Sequence, residues 1–165
     1  MSSEDYKKAY LFLSNKCSKK ELTSKEALVF CSKFTLKITQ KHNLINELKK
    51  NKFIDHQRYA NAFVHDRFSF YKWGKLKIRH HLAQKGIEEN YIELALDNID
   101  SEEYRKAGLE ETTKKFQSMG SPRDYNSKQK LLKFINLKGY ETELAFEIVE
   151  LVTVSYTHLR AHETL

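Results

Sequence analysis

The sequence predicts an all-α protein built as a tandem repeat of three three-helix units. One proline and five glycines in 165 residues leave long stretches without helix breakers, and no segment alternates polar and apolar residues as a strand does. The segment KLKIRHHLAQKGIEENYIELAL from Lys75 aligns without a gap with KQKLLKFINLKGYETELAFEIV from Lys128, an offset of 53 residues. Each copy is too small to bury its apolar face alone, so neighbouring copies must pack on one another.

In each copy an apolar helix ends at a Lys-Gly pair, and a short helix that opens with glutamates follows. Gly86 and Gly139 are predicted to take the left-handed C-cap conformation, which glycine adopts at little cost. Residues 24–45 resemble a degraded third copy with Phe34-Thr35 in place of Lys-Gly. We therefore predict three units, 1–54, 55–100 and 101–152, arranged as an elongated, curved array.

The first unit is predicted to contain three helices separated by two breaks. Its first helix begins at a capping serine near the start of the chain and ends at Asn15. Ser18 and Glu21, three residues apart, form a capping box that opens the second helix. After a break at Phe34-Thr35, a third helix is predicted from Leu36 onwards.

The second unit is predicted to begin at Asp55, which is a good N-cap residue. Aromatic and small residues after it recur at roughly helical spacing and are predicted to form a buried face. They are Tyr59, Ala60, Ala62, Phe63, Phe68 and Phe70. Trp73-Gly74 is predicted to interrupt the helix, and in the next helix Ile78 and Leu82 lie four apart on one apolar face.

The third unit is predicted to begin with a long helix from Glu102 to Met119. Gly120-Ser121-Pro122 ends it, because proline cannot occupy a helix interior, and GSPRDYN is predicted to be a hinge or variable loop. Asn126 or Ser127 is predicted to cap the following helix.

The last residues, VSYTHLRAHETL from Val154, do not continue the apolar pattern of the third unit. They closely resemble a string that sequencing-adapter read-through appends to a protein sequence. Residues 153–165 are therefore predicted to be a non-native tail that packs poorly.

The charge is strongly uneven along the chain. The net charge is +7, and residues 56–85 carry seven basic side chains against Asp66 alone, a net +6. From Gly86 to Glu111 the sign reverses, with nine acidic residues against Arg105 and Lys106. A concentrated basic segment of this kind indicates an anionic partner, nucleic acid first.

The common signatures of catalysis are missing from the sequence. It has no HExxH motif, glycine-rich phosphate loop, Walker lysine or nucleophile elbow, so neither an enzymatic activity nor a cofactor is predicted. His80 and His81 are adjacent, point about 100° apart on a helix and cannot ligate one ion from the same face. No metal site is predicted, and Cys17 and Cys31 are expected to be reduced, partly buried thiols.

The sequence also predicts a location in the cytoplasm. No apolar run approaches the roughly 18 residues that can span a bilayer. The opening Met-Ser-Ser-Glu-Asp has neither the basic start nor the apolar core of a signal peptide.

The partner-binding candidates are therefore the basic residues of the second unit and the tryptophan among them. They are Arg58, Arg67, Lys72, Trp73, Lys75, Lys77, Arg79 and Lys85. Phosphate backbones, or the acidic surface of a DNA-bound protein, would each satisfy these cations. Two alternatives stay open: the basic residues form only a solvated face, and Trp73 serves either as a packing anchor or as a platform for base stacking.

The motifs FIDHQRYANAFVHDRF, WGKLKI, LAQKGI and IDSEEY, together with SKKEL in the first unit, resemble the RecX family of recombinase regulators. The resemblance covers residues 6–152 and is strongest to the Bacteroidetes version of the family. The sequence departs from the family pattern at His56, where a second acid often follows Asp55, and at Phe34-Thr35, where an aromatic-glycine pair is usual.

The resemblance implies tandem three-helix repeats and a non-enzymatic regulator that acts as a monomer. It implies binding to the RecA filament on single- or double-stranded DNA, within the helical groove of the filament. It also implies inhibition of strand exchange and coprotease activity, and so a role in recombination, DNA repair and the SOS response. Two other classes stay open on the residues alone: a basic helical protein that binds DNA without a RecA target, and a structural adaptor.

Overall fold

The computed structural model describes residues 3–121 and 124–163, and the regular secondary structure of this part of the chain is all helical, without strands. Nine α-helices follow one another within it, with the short 3-10 helix Cys31–Lys33 after the second. Helices α1 to α9 are Ser3–Lys19, Ser24–Phe30, Ile38–Lys50, His56–Ser69, Lys75–Gln84, Glu89–Leu96, Ser101–Ser118, Tyr125–Leu137 and Thr142–Glu163. The predicted all-α class and the tandem three-helix repeat are confirmed.

Helix α1 continues one turn beyond its predicted end at Asn15. Lys16 lies over the Phe30 ring, 4.6 Å from its centroid, and this packing favours a further helical turn. The predicted capping box at Ser18 is wrong, because the Ser18 hydroxyl donates to the Asn15 carbonyl at 2.6 Å. The cap of α2 is instead Thr23, whose side-chain oxygen accepts from the Glu26 N–H at 3.1 Å.

Aspartates cap the first helix of the second repeat and the middle helix of the third. The predicted cap at Asp55 is confirmed, since its carboxylate accepts from the Arg58 N–H at 3.0 Å. The predicted cap at Asn126 or Ser127 is wrong: Asp124 caps α8 and accepts from the Ser127 N–H at 2.7 Å. The predicted hinge includes residues 122 and 123, which lie outside the described residues.

The chain divides into two compact units, and the division runs through the second repeat. The first compact unit contains the residues up to Ala62 together with His81–Ala95, and the second contains Phe63–His80 together with the residues from Leu96 onwards. Helices α4 and α5 therefore each contribute a part to either unit. The three-unit division by repeats, 1–54, 55–100 and 101–152, remains a prediction.

Each compact unit has its own set of buried apolar residues. The core of the first contains Ala9, Leu13, Ala27, Cys31, Leu44, Ile45, Leu48 and Ile54. Buried residues of the second include Phe68, Ile78, Tyr104, Phe116, Leu131, Ile135, Tyr140 and Ile148. The predicted burial of Ile78 and Leu82 is confirmed, since neither is accessible to solvent. Both cysteines are free thiols, and burial raises the pKa of each above its ordinary value.

The two Lys-Gly corners have the predicted left-handed geometry. The φ angles are 82° at Gly86 and 102° at Gly139, so each glycine ends its helix as a left-handed cap. In the first compact unit the Gly86 corner lies beside α2, where the Lys25 ammonium donates to the Gln84 carbonyl at 2.9 Å.

Helix α9 passes the predicted boundary at residue 153. Thr153 is buried, Val154 is exposed, and the backbone continues as a helix to Glu163. The predicted boundary is therefore not a helix end. The expected poor packing of the tail remains a prediction, because only the backbone is described after Val154.

Candidate partner-binding surface

The corner between α4 and α5 displays the largest group of predicted binding residues. Helix α4 ends at Ser69, and Lys72 then takes a left-handed conformation with φ 57°. The Lys72 N–H donates to the Phe68 carbonyl at 3.0 Å, and the Trp73 N–H donates to the Arg67 carbonyl at 3.1 Å. These bonds satisfy carbonyl groups at the end of α4 and reverse the chain into α5. The predicted break at Trp73-Gly74 is confirmed.

The corner between α8 and α9 holds this backbone in place within the second compact unit. The Gly74 N–H donates to the Lys138 carbonyl at 2.7 Å, and the Leu76 N–H donates to the Gly139 carbonyl at 2.9 Å. The Tyr140 hydroxyl donates to the Lys72 carbonyl at 3.0 Å. Main-chain groups of the α4–α5 corner are thus fixed by residues more than 60 positions away, which makes the corner a preorganised surface.

Lys138 fastens the same corner through its side chain. Its ammonium donates to the Tyr71 carbonyl at 3.0 Å and to the Glu111 carboxylate at 2.8 Å. Partial burial alone would raise the pKa of Glu111, but the hydrogen bond and charge of Lys138 and the charge of Lys114 outweigh it and hold this pKa below its usual range. Lys138 is therefore an internal cation of the corner.

A buried tyrosine connects the start of α5 with the start of the last helix. The Tyr104 hydroxyl accepts from the Lys75 N–H at 2.9 Å and donates to the Glu141 carboxylate. Burial, followed by the hydrogen bond to Glu141, raises the pKa of Tyr104 well above its ordinary value. The ring stacks on Tyr140 with 4.8 Å between centroids. Tyr104 therefore keeps its proton and satisfies a helix-start N–H and a carboxylate together.

The first compact unit contains the same kind of relay with a histidine in place of the tyrosine. The Nε2 atom of His56 accepts from the Ser24 N–H at 3.0 Å, and its Nδ1 lies 2.7 Å from the Glu88 carboxylate. Because Nε2 accepts, Nδ1 carries the proton and donates to Glu88. Glu88 and Glu141 are 53 residues apart, the offset of the repeat. His56, a departure from the family pattern, is therefore a buried bridging residue.

Four of the predicted cations of the second compact unit lie over aromatic rings. Arg67 lies 4.5 Å from the Phe63 centroid and 5.3 Å from the Trp73 centroid, and Lys77 lies 4.2 Å from the Trp73 centroid. Lys72 lies 5.6 Å from the ring centroid of Phe68, and Lys75 lies 5.0 Å from that of Tyr104. Such contacts are favourable and hold the charges at defined positions.

The other predicted residues occupy three different settings. Trp73 packs edge-on against Phe63 at 6.3 Å between centroids and contacts Tyr71 at 6.4 Å, which supports its role as a packing anchor. Arg79 is half-buried in α5. In the first compact unit, the Arg58 Nε donates to the Glu21 carboxylate at 2.7 Å. Lys85, also in that unit, is half-buried just after α5.

Two exposed aromatic residues of this surface were not among the predicted binding residues. Phe70 is 72% exposed and Tyr71 is 56% exposed. The predicted burial of Phe70 is wrong because α4 ends before it and the turn at Lys72 directs the chain away from the helical face. Ala62 is also exposed, since it lies across the helix from the buried Ala60 and Val64. The sequence signal that could have identified these two residues is the run Phe70-Tyr71 close to several lysines.

Neither a metal centre nor a membrane span is present among the described residues. No group of three or more His, Cys, Asp or Glu side chains there could hold a metal ion. None of the helices within the same ranges combines the length and the apolar character needed to cross a membrane.

Comparison with known proteins gives a family match over the second repeat. Residues 55–96 match the second three-helix domain of RecX. A regulatory protein RecX of Clostridium botulinum is 35% identical over 108 residues, which are 64% of this chain and 50% of that relative. A regulatory protein RecX of Streptococcus gordonii is 26% identical over 144 residues, covering 87% of this chain and 52% of the relative. The chain spans about half the length of the curated relatives it matches.

Solved structures share the fold. The crystal structure of RecX from Lactobacillus salivarius superposes with a TM-score of 0.84 at 21% identity, and the match covers 93% of this chain and 99% of that one. A second crystal structure of a regulatory protein RecX gives a TM-score of 0.79 at 22% identity, over 88% of this chain and 71% of the other. The matched domain, the sequence relatives and the shared helical repeat agree, and this chain belongs to the RecX family.

Proposed function

We propose that this protein is a cytoplasmic regulator that binds RecA filaments on DNA and inhibits strand exchange and coprotease activity. Family membership supports a regulatory role, because the matched relatives are named regulatory protein RecX. The observation that carries the proposal further is the cationic corner between α4 and α5. It presents Arg67, Lys72, Lys75 and Lys77 on a backbone fastened by the α8–α9 corner.

The chemistry of the corner suits a phosphate backbone. Residues 63–80 carry Arg67, Lys72, Lys75, Lys77 and Arg79 against Asp66, a net charge of +4. Cations that contact phosphates release condensed counterions, which supplies affinity without dependence on base sequence. Because the backbone of the corner is fixed in advance, little conformational entropy is lost when a filament is bound.

Inhibition follows from occupancy of the filament. A helical repeat that lies in the filament groove, with its cations on DNA phosphates or on acidic RecA side chains, occupies the path of an incoming DNA strand. The same contacts would hinder the addition or retention of RecA subunits. Neither step needs catalysis or a cofactor from this chain.

The second candidate is a basic helical protein that binds DNA without a RecA target. The cationic corner by itself favours both candidates equally, since phosphates are present in naked and in RecA-coated DNA. What distinguishes the two is a protein contribution to binding.

Binding to naked single-stranded DNA and to RecA-coated single-stranded DNA, followed by fluorescence anisotropy across a salt series, separates the candidates. A RecA regulator should bind the coated DNA more tightly at every salt concentration, and should retain part of that preference at high salt. A phosphate-only binder should lose affinity steeply with salt on both substrates. Equal or weaker binding to coated DNA would contradict the proposed function.

A further inference from the structure

We propose that Phe70 and Tyr71 form a stacking platform for unpaired bases of single-stranded nucleic acid. The two residues are consecutive and directly follow Ser69, the last residue of α4, and they are 72% and 56% exposed. Most aromatic residues of the second compact unit are buried or half-buried, including Phe63, Phe68 and Phe116. The inference rests on the proposed function for the presence of DNA at this surface, and it names which part of the DNA the surface recognises.

The platform is rigid where it meets the backbone. The Phe70 N–H donates to the Asp66 carbonyl at 3.0 Å, and the Tyr71 carbonyl accepts from the Lys138 ammonium at 3.0 Å. The Phe70 ring also contacts His65 edge-on, with 6.2 Å between centroids. An aromatic side chain on a fixed backbone has only two torsion angles to order, so it offers contact area at low entropic cost.

One cation lies over the Tyr71 ring, and others follow it in the chain. The Arg67 guanidinium carbon is 5.5 Å from the Tyr71 centroid, and its buried Nε atom makes no hydrogen bond. Lys72 follows Tyr71 directly, and Lys75 and Lys77 begin α5. A base that stacks at Tyr71 therefore places its phosphate near fixed positive charges. Aromatic platforms interleaved with cations are the arrangement by which proteins bind single strands without sequence preference.

The two exposed aromatic side chains favour a single strand over a duplex or an acidic protein surface. In a duplex the base faces are stacked on one another and are not available to the rings, so a duplex would use only the cations. An acidic protein surface would also use the cations and would leave both apolar rings uncompensated. Of these three partners, only an unpaired nucleotide brings together an accessible aromatic base face and a negatively charged phosphate.

The test compares a fluorescein-labelled oligo(dT) with an abasic oligonucleotide of the same length, which keeps the phosphates and lacks the bases. The wild-type protein should bind oligo(dT) more tightly, by roughly 5- to 150-fold for each base that stacks. Equal affinity for the two strands would overturn the inference, because binding would then depend on phosphates alone. Fluorescence of Trp73, the one tryptophan in the sequence, gives a second readout near Tyr71.

Variants locate the base preference. Replacing both residues, Phe70→Leu with Tyr71→Leu, keeps apolar side chains and removes the rings, and it should abolish the preference for oligo(dT). The exchange Phe70→Tyr with Tyr71→Phe keeps both rings and should retain it. Tyr125→Leu, at an aromatic residue that is 74% exposed, is the matched control and should bind as the wild type does. If the double leucine variant keeps the preference, the platform is not at this corner.

Parallel assays of RecA strand exchange separate this inference from the proposed function. A wild-type protein that inhibits RecA but shows no base preference would overturn the inference alone. A wild-type protein with a base preference that the double leucine variant lacks, and without any effect on RecA, would overturn the proposed function alone. A double leucine variant that keeps the base preference and loses only filament binding would show that the rings contact protein.

Discussion

Gly74 and Gly139 approach each other so closely that a β-carbon on Gly74 would lie 2.1 Å from the carbonyl carbon of Gly139. The contact joins the turn between α4 and α5 to the C-cap of α8. It allows the two hydrogen bonds from Gly74 to Lys138 and from Leu76 to Gly139. The position of the cationic corner therefore depends on the absence of side chains at both glycines.

Gly74→Ala should destabilise the protein strongly. The new methyl group would meet fixed backbone atoms, so the expected loss is about 3 kcal/mol, at the upper end of the usual range for overpacking. Gly120→Ala is the matched control: its β-carbon meets nothing within 4 Å and its cost is only the strain of a φ of 82°, about 1 to 2 kcal/mol. Urea unfolding followed by circular dichroism measures both. Equal losses would show that the close approach is not critical.

Tyr104→Phe should remove the relay of the second compact unit without creating a cavity. The Lys75 N–H and the Glu141 carboxylate would lose their shared partner, at an expected cost of about 1 to 3 kcal/mol. Tyr125→Phe removes an exposed hydroxyl and should cost less than about 0.5 kcal/mol. Chemical unfolding of the two variants gives the comparison, and a Tyr104→Phe protein as stable as the wild type would refute the relay.

His56→Leu tests the equivalent relay of the first compact unit. The Ser24 N–H and Glu88 would lose the imidazole that bridges them, and a loss of about 1 to 3 kcal/mol is again expected. His65→Leu, at an exposed histidine of the same helix, is the control. Unchanged stability of His56→Leu in denaturant titrations would mean that the histidine only fills space.

Glu111→Gln should alter the pH dependence of stability in acid. The pKa of Glu111 is lower in the folded state than its ordinary value of about 4.3. The ion pair with Lys138 is therefore fully stabilising above that value, and its contribution is lost as the pH falls through the folded-state pKa. At pH 7 the free energy of unfolding of the wild type should exceed that of the Glu111→Gln variant by about 1 kcal/mol. The difference should shrink below pH 4.

Unfolding free energies at pH 7 and at several values between pH 3 and pH 5 measure this difference. Glu110→Gln, on the exposed face of the same helix, controls for the loss of one negative charge. A gap between wild type and Glu111→Gln that is constant over the whole range would contradict the role assigned to the Lys138 pair.

Ile78→Asp should unfold the region around α5. Ile78 is fully buried, and an unpaired charge there costs several kcal/mol against a total stability of about 5 to 15 kcal/mol. Leu76→Asp places the same charge two residues earlier, where the side chain is 44% exposed, and should be tolerated. Thermal melts followed by circular dichroism distinguish the two, and a cooperative Ile78→Asp melt at the wild-type temperature would show that the helix faces are misassigned.

The repeat and its corners were predictable because they depend on local chemistry. An apolar helix ends at each of the two Lys-Gly pairs, and Gly86 and Gly139 there take the left-handed cap conformation. Asp55 caps the helix that begins directly after it. The burial of Ile78 and Leu82 follows from helical spacing alone. These features need no knowledge of which segments meet in space.

The predictions that were wrong concern positions where alternative partners compete or where a helix ends. Thr23 rather than Ser18 caps α2, because the Ser18 hydroxyl already bonds to Asn15 in the last turn of α1. Periodicity placed Phe70 on a buried face, but the helix ends one residue earlier.

The two relays and the contact of Gly74 with Gly139 join residues that lie 29 to 65 positions apart. One sequence without its three-dimensional contacts does not specify such pairs. The binding role of the cationic residues is likewise a prediction that requires a partner to test.

The cationic corner is tested by replacing Lys72, Lys75, Lys77 and Arg79 together with glutamine. Glutamine is preferable to alanine because the stems of these side chains are half-buried against rings such as Trp73 and Tyr104, and their packing should be kept. The matched control replaces four exposed lysines in α1 and directly after it with glutamine and so changes the net charge equally. They are Lys7, Lys8 and Lys19 of α1 and Lys20, the residue directly after it.

Inhibition of RecA-catalysed strand exchange, titrated with wild type and both quadruple variants at fixed salt, tests the central claim most directly. The proposed function predicts that the wild type and the α1 variant inhibit at the same concentration. It predicts that the corner variant, folded by circular dichroism, needs at least about tenfold more protein, a loss of only about 1.4 kcal/mol of binding free energy. A folded corner variant that inhibits at the wild-type concentration would contradict the claim that this surface contacts the filament.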